Sequence, residues 1–86
     1  MKNIIQNLES LSRLAGRSTD IGEVEAMIEK TRQAVKVAAN DPLFEELDFE
    51  LSTWQSKLSV ILKEPMGRQG MSKHCLHWVE KLKKNG

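Results

Sequence analysis

Residues 35–61 read VKVAANDPLFEELDFELSTWQSKLSVI, and the middle of that stretch decides the fold. Asn40, Asp41 and Pro42 are in turn a helix stop, an N-cap residue and a proline at the first helical position, where its missing N–H costs nothing. Apolar residues recur at three-four spacing on both sides of this junction. Ile21, Val24, Ile28, Thr31, Val35 and Ala38 precede it; Phe44, Leu47, Leu51, Trp54, Leu58 and Ile61 follow it. Such spacing marks one face of a helix. Two such faces joined by a stop and a restart leave water by folding onto each other, so the pattern predicts a central αα-hairpin over about 20–39 and 42–64.

Working outward, Ile4, Leu8, Leu11 and Ala15 lie on one face of a shorter N-terminal helix over about 3–15, with Gly16 as its stop. Asp20 is placed to cap the second helix, with Glu23 three residues on in a capping-box arrangement. At the other end, Pro65 and Gly67 are expected to terminate the third helix, and Gly67 and Gly70 to frame a loop holding Met66, Arg68, Gln69 and Met71. Ser72 then caps a C-terminal helix over about 72–84, with Cys75, Leu76, Val79 and Leu82 inward. The expected fold class is therefore all-α: a small antiparallel helical bundle forming one domain over residues 1–86.

Composition fits an ordinary folded chain, with 40% hydrophobic and 29% charged residues, at a size where one core only just offsets chain entropy. The single Cys75 has no internal disulfide partner, and polar residues interrupt the N-terminal apolar positions everywhere, so a cytoplasmic protein with neither leader nor membrane span is expected. The net charge of +1 conceals an asymmetry. Residues 1–62 carry seven basic and ten acidic side chains, whereas residues 63–86 carry six basic and two acidic. Acids near a helix start and bases near a helix end complement the helix dipole, but the two poles are also able to attract partners or each other.

The third helix has a second side. At about 100° per residue, Phe49, Thr53, Ser56 and Val60 fall together almost opposite the main stripe. Either a neighbouring helix of this chain covers them or they form a docking face for another chain. With the acidic rim Glu45, Glu46 and Asp48 and the loop residues Met66, Arg68 and Met71, they are the candidate protein interface. Methionines suit an adaptable contact surface and equally fill gaps in a core.

Other chemistry is thinly supported. His74, Cys75 and His77 are the one cluster of ligand and nucleophile types, yet helical geometry turns Cys75 away from His74 and leaves a metal short of convergent ligands. Neither paired catalytic carboxylates nor a phosphate-cradling loop is present, so no enzyme activity, cofactor, metal or small-molecule substrate is expected. Gly70, Met71, Ser72 and Lys73 followed by Leu76, Val79 and Leu82 resemble the turn and recognition helix of helix-turn-helix DNA-binding proteins. That resemblance implies a nucleic-acid surface built from Lys73, His74, His77, Lys81 and Lys84, although Pro65 and Gly67 occupy the place of its supporting helix. The leading expectation is a non-enzymatic protein–protein interaction module, whether adaptor, regulator or chaperone-like subunit, whose partner is another protein or a second copy. A small nucleic-acid-binding protein is the alternative.

Overall fold

Asp41 restarts the chain as its position demands. Its backbone is extended, its carboxylate accepts the Leu43 N–H at 2.9 Å, and α3 (Pro42–Ser56) begins at the following proline. The computed structural model describes residues 2–17, 20–38 and 41–85. In these segments α1 (Lys2–Arg17), α2 (Ile21–Val37), α3, a single turn α4 (Leu58–Ile61) and α5 (Pro65–Asn85) build an all-α bundle, and no strand occurs among the described residues. The Asp20 carboxylate accepts the Glu23 N–H at 3.3 Å and so caps α2. The stop expected at Asn40 lies outside the described residues, but α2 ends at Val37, before the expected Ala39, because Ala38 is already extended with φ −77° and ψ 144°.

The predicted stripes supply the core except at Ile21, which is 41% exposed in the first turn of α2, while Ala38, Phe44 and Ile61 are only partly buried at its edge. Ile4, Leu8, Leu11 and Ala15 of α1, Val24, Ile28 and Val35 of α2, and Leu47, Leu51 and Trp54 of α3 are all buried, with Leu58 and Leu62 beyond them. Buried Thr31 satisfies its hydroxyl by donating to the Met27 carbonyl at 2.8 Å. Helix α1 packs on both α2 and α5, and α2 packs on α3. A polar lattice locks the hairpin from outside: Arg32 donates to Asp48 at 2.9 Å and to Gln55 at 2.8 Å, while Gln55 donates to Glu29 at 3.0 Å. The Asp48 hydrogen bond raises the Arg32 pKa, and the hydrogen bonds from Gln55 and then Gln33 lower that of Glu29.

Three further boundaries depart from the sequence reading. Gly16 does not stop α1, which runs on to Arg17. The long third helix breaks at Lys57, whose φ of −111° and ψ of 16° leave the helical region. Hydroxyl residues weaken the turns leading to that break, as Thr53 donates to the Phe49 carbonyl at 3.0 Å and Ser56 to the Ser52 carbonyl at 3.1 Å. The Lys57 N–H is held by the Thr53 and Trp54 carbonyls, and α4 restarts at Leu58.

The largest correction concerns Pro65 to Met71. This segment is no loop: Pro65 opens α5, and the helix continues through Gly67 and Gly70 to Asn85. Proline is at home at a helix start, so here it ends nothing. Gly67 serves close packing, because a Cβ there would collide with the Ile61 backbone carbonyl at the α4–α5 turn. Arg68 closes the same turn by donating from Nε to the Leu62 carbonyl at 2.9 Å. With no turn at Gly70, the helix-turn-helix likeness loses its defining element. Leu76, expected inward, is 49% exposed, because the buried stripe follows Met71, Cys75, Trp78, Val79 and Leu82 and leaves residue 76 on the flank. Ser72, expected as a helix cap, lies inside α5 and instead ties it to α1, where Ser12 meets the Ser72 carbonyl at 3.0 Å and the Ser72 hydroxyl at 2.8 Å.

Candidate docking groove between α3 and α5

Where α1 packs closely on α2 and α5, and α2 on α3, the helices α3 and α5 approach each other mainly through side chains. The two helices run antiparallel, since Glu50 and Trp54 meet His74 while Glu45 and Glu46 share a stretch with Lys81. Trp54 stands edge-on to His74 with ring centroids 6.4 Å apart, and Trp78 fills the seam one turn further along α5. Large rings hold the backbones apart, and a groove of about 750 Å³ remains above them. Pro42, Glu45, Glu46, Phe49, Glu50 and Thr53 form one wall; Trp78 and Lys81 form the other.

Phe49 stands in that wall with 75% of its surface exposed. On α3 it lies nearly opposite Leu47 and Leu51, which the core claims, and no helix of the bundle covers it. Lys81 places its ammonium 4.8 Å from the centroid of the Trp78 ring, a cation–π contact that keeps the charge at the groove. Glu50 turns inward. Its Oε1 is buried without an aligned hydrogen bond, and its nearest charge partner is His74 Nδ1 at 3.3 Å, an ion pair whenever His74 is protonated.

The residues singled out from sequence scatter over several roles. Phe49, Thr53, Glu45 and Glu46 meet in the groove, while Ser56 is exposed outside it and Val60, 70% exposed, lies on α4 beyond the break at Lys57. The four-residue face Phe49, Thr53, Ser56 and Val60 is therefore not one continuous helical face. Asp48 is engaged by Arg32, and Arg68 by the Leu62 carbonyl, so both hold the fold together. Met71 is a core residue, whereas Met66 is 82% exposed at the start of α5. Of the basic set, Lys81 lines the groove, Lys73, His74 and His77 border a shallow depression, and Lys84 is exposed near the end of α5.

Three lining residues were missed: Pro42, Glu50 and Trp78. The sequence shows Pro42 only as a helix start, which holds as far as a single helix goes, and Trp78 is a core residue whose edge also lines the groove. What brings them together is the antiparallel register of α3 and α5, and that depends on a turn the glycine pattern concealed. Cys75 carries no chemistry here. Burial, and then the nearby Glu50 charge, push its thiol up to about 12, far from a nucleophilic thiolate. Among the described residues, no three His, Cys, Asp or Glu side chains converge to hold a metal ion, and no helix is long and apolar enough to cross a membrane. Comparison with family models, with curated proteins and with solved structures yielded no match.

Proposed function

We propose that this chain is a non-enzymatic protein–protein interaction module that receives its partner in the α3/α5 groove. The observation that carries the reading is Phe49, three-quarters exposed on the wall of a groove whose other wall is Trp78. Burying an exposed phenylalanine contributes about 1.5 to 3 kcal/mol. Aromatic residues, phenylalanine among them, are enriched at the centres of protein interfaces, with polar and charged residues at the rim. Glu45, Glu46 and Lys81 supply that rim. The lone buried thiol of Cys75 suits a reducing compartment, and a cytoplasmic setting is proposed on that ground.

A nucleic-acid role through Lys73, His74, His77, Lys81 and Lys84 meets an electrostatic obstacle. Glu45 and Glu46 stand across the groove from Lys81, where they repel a phosphate backbone approaching the basic side. The test is a photo-crosslinking phenylalanine analogue at position 49, with one at exposed Glu25 on α2 as control, activated in the native host. A discrete adduct from position 49 and none from position 25 is expected. No adduct, or the same adducts from both positions, contradicts the docking reading.

A further inference from the structure

The groove is electrically two-sided, and that property restricts its occupant. Glu45 and Glu46 make its α3 ridge acidic; Lys81, followed one turn later by exposed Lys84, makes its α5 ridge basic. A partner that is simply basic is drawn to one ridge and repelled by the other, and a simply acidic partner meets the reverse. A good fit requires a face carrying both signs in the same spacing. The chain itself presents such a face.

We propose that the groove's occupant is a second copy of this chain, docked face to face about a two-fold axis parallel to the groove. This inference rests on the docking reading and names its partner. Rotation about that axis keeps each residue at its own height along the groove and exchanges the two ridges, so Glu45 and Glu46 of one protomer face the level of Lys81 in its partner, twice over. A two-fold axis running across the groove would instead set acid on acid. The contact is isologous and closed, the commonest symmetry of soluble assemblies. Each Phe49 then leaves water against the opposing groove, where Trp78 provides an aromatic wall. A stable interface needs roughly 800 Å² from each partner, about a seventh of the 5467 Å² that the single chain exposes.

Sedimentation equilibrium tests this on the intact chain. Wild type at low salt is expected at twice the 9.8 kDa monomer mass, with dissociation strengthening as salt screens the ridges. The double variants E45K/E46K and K81E/K84E are each expected to weaken dimerisation at least about tenfold, and an equimolar mixture of the two to regain the dimer mass. All altered side chains are exposed, circular dichroism checks folding of each variant, and the wild-type salt series needs no variant. A wild type that stays monomeric, variants that dimerise like wild type, or a mixture that stays monomeric overturns the proposal. A monomeric wild type whose position 49 still crosslinks to a different protein refutes the second copy and leaves the docking reading standing. A monomer with no adduct refutes both.

Discussion

Gly67 and Gly70 are three residues apart on one helix and look alike in sequence, yet their surroundings give them opposite roles. A methyl group on Gly67 has no room beneath the Ile61 carbonyl, whereas one on Gly70 meets nothing within 4 Å. Gly67→Ala is therefore expected to cost about 1 to 3 kcal/mol by overpacking against backbone. Gly70→Ala should stabilise by about 0.5 to 1 kcal/mol, because alanine loses less entropy than glycine in a helix interior. Urea denaturation of both variants reads the two signs directly. Equal effects would mean that the α4–α5 turn is not built as described. Cys75 makes a second prediction at this scale. Its thiol titrates near 9 in the unfolded chain and about 12 in the folded one, so the unfolded state loses its proton first as pH rises. The stability contributed by the neutral buried thiol is complete below about pH 9 and declines as pH rises toward 12. Removing the thiol with Cys75→Ala should flatten that part of the stability profile, and native thiol labelling at pH 8 should be far slower than labelling in denaturant.

At the scale of the element, the junction at Asp41 and Pro42 was legible because cap and proline act within one turn, and their effect depends little on what lies elsewhere. Asp41→Ala is expected to cost about 0.5 to 2 kcal/mol, measured by thermal or urea unfolding, with helical content unchanged. A neutral result would show that the 2.9 Å bond to the Leu43 N–H adds nothing at this junction. The stripes of α1, α2 and α3 were equally legible, since burial of one face repeats through every turn. Two features were hidden. The break at Lys57 carries no glycine or proline; it follows a run of serine and threonine whose hydroxyls bond back to the helix, a weak signal beside an unbroken apolar stripe. Pro65 and Gly67 carry strong breaker signals that misled, because proline suits a helix start as well as an end and glycine suits a tight crossing as well as a turn.

At the scale of the whole molecule, the groove exists because α3 and α5 are spaced by Trp54 on one side and His74 and Trp78 on the other, a relation across twenty or more positions of sequence. Helical periodicity assigns each of these side chains to a face but says nothing of which faces meet across the bundle. Phe49 was legible as a residue without a place in the core, and the structure leaves it without cover from its own chain. The electrostatic asymmetry between residues 1–62 and 63–86 was legible as well, and folding turns it into two ridges of opposite sign along one groove. The central claim is that Phe49 does its work outside its own fold, and the most direct test is equilibrium urea denaturation of Phe49→Ser against wild type at monomeric dilution. A difference within about 0.5 kcal/mol is expected, as for any exposed site. A loss of about 1.5 to 3 kcal/mol would mean that Phe49 is buried by its own helices, and would contradict the groove as a docking surface.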